Sequence, residues 1–305
     1  MIKVRNLAYV RFGAPDLDAM ERFAADFGLA WTARENDVLY HRGTDPSPYC
    51  HVTELGAPGF RGLAFEASSS ADLEAASKIA GASSVEKIEA PGGGLRVRLS
   101  DPNGFVIDIV LGRAALPALP VPRSSGVNRG SERRRLGKVH RPPSGPSSVK
   151  RLGHIVLKVG DFRTSQSWYQ SNFGLLSSDE IYLGAPGNVL SAFMRCDRGD
   201  EYTDHHTLAI AQLGEPGFEH AAFEVEDLDS LMTGHDHLKR AEYKHHAGIG
   251  RHILGSQIFD YWQDPWGHTV EHYTDGDLLR ANQEPTVSGA EIALGTLWGH
   301  APAPG

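Results

Sequence analysis

Histidines lie in apolar stretches of the second half of the chain, where their side chains could bind a metal or transfer protons. The segment DHHTLAIAQLGEPGFEHAAFEV (204–225) holds His205, His206 and His220 among Leu, Ala, Ile, Phe and Val. A single histidine in such a strand is usually a core or edge residue with satisfied hydrogen bonds. Thirteen of the fifteen histidines follow residue 139. This asymmetry predicts that chemistry is confined to the second half.

An internal repeat indicates which elements position these side chains. Three pairs of segments align: NLAYVRFGAPDLDAMERFAADFGL (6–29) with LGHIVLKVGDFRTSQSWYQSNFGL (152–175), GAPGFRGLAFEA (56–67) with GEPGFEHAAFEV (214–225), and SDPNGFVIDIVLG (100–112) with QDPWGHTVEHYTDG (263–276). Each half shows a strand, a helix and further strands twice, with second helices expected near 71–80 and 227–240. We predict an α+β fold of four βαβββ modules paired into two barrel-like domains.

The same pattern sets the predicted domain boundaries. Residues 1–112 form an N-terminal domain without a metal, and residues 150–290 form a C-terminal metal-binding domain. The stretch 113–149 is rich in Pro, Ser and Gly, which is typical of a linker. Residues 291–305 remain as a C-terminal tail.

Aligning the two halves lets one serve as the control for the other. Three aligned pairs differ in chemistry: His154 with Tyr9, His220 with Gly62, and Glu271 with Asp108. Two neutral imidazoles and one carboxylate on a common face form the ligand set of non-haem Fe(II) sites, and Zn(II) or Mn(II) could use the same ligands. Each residue alone would be read as an interior histidine or an edge charge. Their joint occurrence favours a metal site in the second half.

These residues also carry a family resemblance. Over nearly its whole length the chain resembles the type I extradiol ring-cleavage dioxygenases of the vicinal oxygen chelate superfamily. The motifs that carry it are LGHIVL, HHTLAI followed by FEHAAFEV, GIGRHILGSQIFDYWQDPWGHTVEHY, and the closing LGTLWGHAPAP. The third is similar to the family's Gly-x-Gly-Arg-His, later Tyr, then Asp-Pro-x-Gly and Glu segment.

The resemblance implies a role for each matching residue. Iron ligands are expected at His154, His220 and Glu271. His206 takes the place of the acid/base histidine, and His252 and Tyr261 fall where family members hydrogen-bond the substrate's oxygens. His205 is expected to face away from the site as a structural residue or pocket wall, because side chains alternate along a strand.

Other residues near the motifs are given weaker assignments. Four are pocket candidates only because they lie close in sequence: His246, Phe259, Asp260 and Trp262. His235 and His237 are two apart on a predicted helix and cannot share a face. His245 and its neighbour are expected in a loop beside the pocket. His268 and His272 are expected at the surface.

The activity implied by the resemblance is extradiol (meta) cleavage of a catechol-type substrate with O2 at a mononuclear non-haem Fe(II), with Mn(II) as the second choice. The product would be of the hydroxymuconic semialdehyde type, in aromatic degradation, and a homo-oligomer is expected. One alternative is a glyoxalase-like metal-dependent isomerase or lyase, which usually draws ligands from both halves of a module pair. The other is a metal-free protein of the same fold that binds small molecules.

Composition excludes several other classes. The 305 residues carry a formal net charge of −8, with a pI near 6.0, which argues against nucleic acid or an anionic membrane as partner. The one dense basic run, RGSERRRLGKVHR (129–141), lies in the predicted linker. No apolar run approaches the ~18 residues of a spanning helix, and the N-terminus lacks a signal-peptide core. Cys50 and Cys196 cannot form a disulfide framework, so we expect a cytoplasmic protein.

Overall fold

Two β-sheets, one in each half of the chain, carry the fold in the computed structural model of the protein, which describes residues 1–122 and 126–300. The first sheet ends at Leu111 and the second begins at Val149. Residues 123–125 of the predicted linker and 301–305 of the predicted tail lie outside the described residues, as does the end of the LGTLWGHAPAP motif. The two-sheet architecture confirms the predicted α+β fold.

The first half contains two βαβββ modules side by side. Its elements are β1 (Val4–Ala14), α1 (Leu17–Phe27), β2 (Ala30–Glu35), β3 (Val38–Arg42), β4 (His51–Leu55), β5 (Gly59–Ala67), α2 (Ser70–Ala76), β6 (Glu86–Lys87), β7 (Leu95–Ser100) and β8 (Val106–Leu111). The strands form one sheet in the order β2-β3-β4-β1-β5-β8-β7-β6. The antiparallel pair β1 and β5 joins the modules.

The second half repeats this plan with additions. Its elements are β9 (Val149–Lys158), α3 (Phe162–Phe173), β10 (Leu176–Tyr182), β11 (Val189–Arg195), β12 (Thr203–Asp204), β13 (Leu208–Ala211), β14 (Gly217–Val225), α4 (Leu228–Arg240), β15 (His245–His252), β16 (Ile258–Gln263), β17 (Thr269–Thr274), β18 (Leu278–Leu279), β19 (Thr286–Gly289), α5 (Ala290–Ala293) and β20 (Thr296–Gly299). Ten strands form the sheet β19-β10-β11-β13-β9-β14-β17-β16-β15-β20. The predicted tail thus contains an edge strand, β20, which pairs with β15.

Helix ends follow from the sequence in the same way in both halves. Asp16 and Asp161 accept hydrogen bonds from backbone N–H groups of the first turns of α1 and α3, which is the usual work of an N-cap carboxylate. Both helices end at a glycine in the left-handed conformation, Gly28 and Gly174, where a side chain would be strained. Among the described residues no helix is long and apolar enough to cross a membrane.

Strand register confirms the alignment of the two halves. In the second sheet, Ala222 on β14 pairs with His154 on β9 and with Glu271 on β17. In the first sheet, Ala64 on β5 lies between the two aligned residues: Tyr9 on β1 and Asp108 on β8. The repeat therefore places equivalent side chains at equivalent points. Three adjacent strands of the second sheet, β9, β14 and β17, bring a histidine and a glutamate to opposite sides of one small residue.

The two halves pack together through aromatic rings, and this corrects the prediction for His272. His272 is fully buried, with its ring stacked on that of Phe27 at 3.8 Å between centroids. Its Nε2 donates to the carbonyl oxygen of Phe27 at 2.7 Å. Burial lowers the pKa of His272 to about 4, so the ring is neutral. The surface prediction was wrong because the partner of this face is the other half of the chain.

His268 is likewise half-buried rather than a surface residue. Its ring packs 4.8 Å from that of Phe12, and its Nδ1 lies 2.7 Å from the carboxylate of Asp264. Asp264 also accepts two backbone N–H groups within its Asp-Pro-Trp-Gly turn, as Asp101 does in the Asp-Pro-Asn-Gly turn of the first half. Each turn leads into the last strand of its module pair, so the turn fixes the position of β17 and of Glu271.

Candidate active site

Three buried side chains of the second sheet converge on one point. His154 Nε2 lies 3.2 Å from Oε2 of Glu271, and His220 Nε2 lies 3.3 Å from the same oxygen. The two Nε2 atoms are 3.4 Å apart. Ligands about 2.1 Å from a divalent metal stand roughly 3.0 to 3.4 Å from one another at octahedral or tetrahedral angles. The spacing of the three donor atoms therefore fits a single metal ion.

The carboxylate of Glu271 lacks the partners that a buried charge needs. The side chain is fully buried, and neither oxygen makes a hydrogen bond with any described residue. Burial raises the pKa of Glu271, but the contacts with His154 and His220 outweigh it and hold the pKa below its usual range. An ionised buried carboxylate without hydrogen bonds is costly unless it is paired or binds a metal. The residues present thus fit a divalent cation.

Glu219 contacts the side of His220 that faces away from the cluster. This contact was not predicted from the sequence. The carboxylate of Glu219 is hydrogen-bonded to His220 Nδ1, which leaves Nε2 free to act as a ligand. Strand alternation predicts that neighbours point to opposite faces. A register shift between Phe218 and His220 breaks that alternation. Burial lowers the pKa of His220, but Glu219 and Glu271 together raise it to about 10, so this position strongly favours positive charge.

The equivalent place in the first half is filled by an internal cation. Asp108 accepts from Arg98 Nε and Nη2 at 2.8 and 3.0 Å, and from Tyr9 Oη at 2.9 Å. Although burial raises the pKa of Asp108, these contacts lower it overall. The carboxylate is satisfied without a metal. The difference between the halves is therefore a difference in what neutralises the same buried charge.

His206 lies beside the cluster and is held by a chain of two further residues. Its ring centroid is 4.1 Å from that of His154. Its Nδ1 is 3.0 Å from Nδ1 of His205, whose Nε2 is 2.6 Å from the carboxylate of Asp179. Alternation predicted that His205 faces away from the site. The structure instead turns its ring toward His206. Residues 205–207 form a bend between β12 and β13, where strand alternation does not apply.

This chain of hydrogen bonds selects one tautomer of His206. Asp179 can only accept, because contact with His205 outweighs the effect of burial and lowers its carboxyl pKa. His205 therefore donates from Nε2, and with that one ring proton it offers a lone pair at Nδ1. The hydrogen bond to His206 requires the proton on Nδ1 of His206. Burial and the neighbouring histidines hold the pKa of His206 well below its usual value, so its Nε2 is left as the atom that can take up a proton.

Tyr261 lies next to His220, and His252 lies next to Tyr261. The ring of Tyr261 lies 5.1 Å from that of His220, and its hydroxyl is 3.1 Å from His252 Nε2. Phe259 is buried and stacks on His252 at 4.1 Å. His246 is exposed, with its ring 6.5 Å from that of Tyr261, and it lies on β15 rather than in the predicted loop. Tyr261 therefore adjoins the cluster, His252 and Phe259 pack beside Tyr261, and the exposed His246 lies next to it.

Asp260 and Trp262 do not line this site. Side chains alternate along β16, so Asp260 points to the face opposite Phe259 and Tyr261. Its carboxylate accepts from Trp262 Nε1 at 2.6 Å on that other face. Closeness in sequence suggested both as pocket residues. Strand alternation overturns that suggestion.

Comparison with known proteins agrees with this geometry. Residues 151–272 match the model of the Glyoxalase/Bleomycin resistance protein/Dioxygenase superfamily. The chain is 28% identical to Metapyrocatechase 2 of Cupriavidus necator over 92% of its own length and 84% of that protein. It is 26% identical to the biphenyl-2,3-diol 1,2-dioxygenase of Sphingomonas paucimobilis over 47% of this chain and 51% of that protein.

Two solved structures share the fold. The Mn(II)-bound glyoxalase of Novosphingobium aromaticivorans superposes with a TM-score of 0.80 at 21% identity, covering 100% of this chain and 96% of that one. The 2,3-dioxygenase LapB of Pseudomonas sp. KL28 superposes with a TM-score of 0.78 at 18% identity, covering 95% and 99%. Both cover the two halves, so the paired-module architecture is shared in full.

The buried cluster predicts where a metal binds. We expect Glu271→Gln and His154→Ala to lose the metal bound at this cluster, because each removes a donor atom from the point of convergence. The matched control is Asp108→Asn, which alters the equivalent carboxylate of the first half and should keep metal content at the level of the unaltered protein. Metal analysis of the purified variants measures this. Equal metal loss in Asp108→Asn and Glu271→Gln would contradict the assignment.

Proposed function

We propose that this chain, whose residues 151–272 match the model of the Glyoxalase/Bleomycin resistance protein/Dioxygenase superfamily, is an extradiol dioxygenase that opens the ring of a catechol beside its two hydroxyls. The observation that carries the proposal is the buried His154, His220 and Glu271 cluster, whose carboxylate has no hydrogen-bond partner among the described residues. The likeness to Metapyrocatechase 2 over most of both chains supports this substrate class.

The proposed metal is Fe(II), with Mn(II) as the second choice. His154, His220 and Glu271 would hold it, and two imidazoles with one carboxylate are the ligand set of non-haem Fe(II) oxygenases. The bound ion would supply coordination positions for both catechol oxygens and for O2, and would lower the pKa of a bound hydroxyl. Glu219 holds the His220 ring in the tautomer that such binding requires.

Tyr261 and His252 orient the substrate's oxygens. Burial and the charge of Glu271 raise the pKa of Tyr261 well above its usual value, so its hydroxyl keeps a proton to donate. Burial lowers the pKa of His252 to about 4, so this ring is neutral and its Nε2 can accept from Tyr261 or from the substrate. Phe259, stacked on His252, keeps that ring in position and excludes water. Together they fix the catechol against the ligand cluster.

His206 moves the proton. With its own proton on Nδ1, the ring can take a catechol proton at Nε2 and return it when the bond between the two oxygen atoms of O2 breaks. Asp179 and His205 stabilise the cation formed in between, since their hydrogen bonds run away from the site to a buried carboxylate. Both atoms of O2 enter the product, so substrate plus O2 equals product and the reaction requires no other oxidant.

An uncharged ring is the proposed substrate class. The rings next to Tyr261 are those of His220, His252 and Phe259, and the carboxylate of Glu219 lies beside His220. Arg251, the cation next to His252 in sequence, is turned away to Ser256 and Asp275. A catechol with a ring carboxylate would therefore meet like charge. An alkyl- or aryl-substituted catechol fits this surrounding.

Labelled dioxygen tests the proposed reaction. Fe(II)-loaded protein is given catechol under ¹⁸O₂, and we expect a yellow ring-opened product that contains two ¹⁸O atoms before exchange with water. The carboxylate oxygen is the informative position, because an aldehyde oxygen exchanges with solvent. Failure to open the ring, together with isomerisation of a hemithioacetal by the same metal-loaded protein, would replace the proposal with the glyoxalase-like alternative.

His206→Phe tests the proton-transfer role. We expect the variant to keep its metal and to bind catechol, but to turn over at least tenfold more slowly, since positioned proton transfer typically contributes about 10²-fold or more. Steady-state kinetics with metal analysis measure both. The control is His237→Phe, on helix α4, where the imidazole pairs with Asp26 instead. Unchanged turnover in His206→Phe would move the role to another residue.

Asp179→Asn tests whether the tautomer of His206 matters. An amide can donate to His205 Nε2 and so allows the reverse tautomer along the whole chain of hydrogen bonds. We expect turnover per bound metal to fall while metal content stays constant. Asp161→Asn makes the same chemical change at an N-cap, where Asn serves as well as Asp, and should be silent. Equal kinetics in the two variants would make Asp179 a structural residue only.

A further inference from the structure

A second cluster of metal-binding residues lies on the other face of β16. Asp260 is fully buried, and its Oδ1 is 2.9 Å from His245 Nε2 and 3.1 Å from His235 Nδ1. The rings of the two histidines lie 5.1 Å apart, almost perpendicular to each other. The three residues come from α4, β15 and β16, which are separate elements of the second half. Their donor atoms all lie within 4.8 Å of one another.

We propose that His235, His245 and Asp260 form a second divalent metal site, suited to zinc. Two imidazole nitrogens and one carboxylate oxygen are ligands that Zn(II) takes in open sites, with water or another small ligand in the fourth position. The distances of 2.9 and 3.1 Å between oxygen and nitrogen are close to those between neighbouring ligands of one zinc ion. The site goes beyond the proposed ring cleavage and does not depend on it.

The repeat shows that the fold does not need a carboxylate at this point. Because Tyr261 pairs with Glu271 and Arg98 pairs with Asp108, the first-half counterpart of Asp260 is Val97. Val97 is fully buried and belongs to the apolar core. The same position in the same strand is thus stable with an aliphatic side chain. A buried carboxylate flanked by two histidines is an addition made only in the second half.

Trp262 fixes the carboxylate in a ligand's orientation. Its Nε1 donates to Oδ2 of Asp260 at 2.6 Å. Oδ2 also lies 3.1 Å from His235 Nδ1, whereas Oδ1 is the oxygen within reach of both histidines. Ligating carboxylates are commonly held by a hydrogen bond on the oxygen that does not bind the metal. Without a metal, both histidines must turn a protonated nitrogen toward Asp260. In place of these two hydrogen bonds, a zinc ion would be bound by both nitrogens and by Oδ1.

The cluster is also reachable from solvent. The side chain of His245 is 33% exposed and that of His235 is 15% exposed, while Asp260 is fully buried behind them. An ion can therefore enter past the histidines. The metal would tie α4 to the strand that carries Tyr261 on its other face. We expect its main effect to be on stability rather than on chemistry.

Zinc binding is tested on the full-length chain with each site silenced in turn. Metal-free protein is dialysed against zinc and the bound zinc is measured per chain. The unaltered protein should bind two, since zinc also fits the first cluster. His154→Ala and His245→Ala should each bind one, and the double variant none. The control His237→Ala, two residues from His235 on the same helix, should bind two.

Thermal unfolding supplies an independent readout. In the His154→Ala background, zinc at about 100 times its dissociation constant should raise the unfolding temperature by roughly 5 °C, and adding His245→Ala should remove that rise. One zinc in the unaltered protein with no loss in His245→Ala would overturn the site and leave a buried hydrogen-bond network. Neither result bears on ring cleavage, which is assayed separately with Fe(II).

Discussion

The buried carboxylate of Glu271 is the constraint around which the second half of the molecule is arranged. A charge at this depth, with neither oxygen hydrogen-bonded among the described residues, is unstable unless a cation lies against it. His154 and His220 approach Oε2 at 3.2 and 3.3 Å but do not satisfy it as hydrogen-bond donors. The position therefore favours positive charge, which a divalent metal ion bound by His154, His220 and Glu271 would supply.

In the first half the equivalent buried carboxylate does not need an external cation. Tyr9 and Asp108 occupy the aligned positions, and Arg98 supplies the positive charge from within the chain. The two halves thus neutralise the equivalent buried carboxylate in different ways. In the first half Arg98 bonds the carboxylate directly, whereas in the second half two histidines face it. The halves differ again on the other face of β16, where the buried Asp260 is the counterpart of Val97 on β7.

The sequence predicted what depends on periodicity and on comparison of the two halves. The module order, the helix caps and the alignment of His154 with Tyr9 follow from local patterns, and strand register agrees with them. Residues that depend on irregular backbone were missed or misplaced. A register shift brings Glu219 beside His220, and a bend turns His205 toward His206.

Long-range packing accounts for the other differences. His272 was expected at the surface, but its partner, Phe27, lies 245 residues earlier in the chain. No local pattern identifies such a neighbour. The misplacement of Asp260 is different, since alternation along β16 with Tyr261 already predicts that the two point to opposite faces. For that residue the signal is present in the sequence.

Titration of the metal-free protein with Fe(II) under anaerobic conditions tests the central claim most directly. After each addition, catechol and O2 are supplied and the rate of formation of the yellow product is recorded. The geometry predicts a rate that rises linearly and breaks at one Fe(II) per chain, with no rise in Glu271→Gln. Ring cleavage that needs no metal, or full iron occupancy at His154, His220 and Glu271 without ring cleavage, would contradict it.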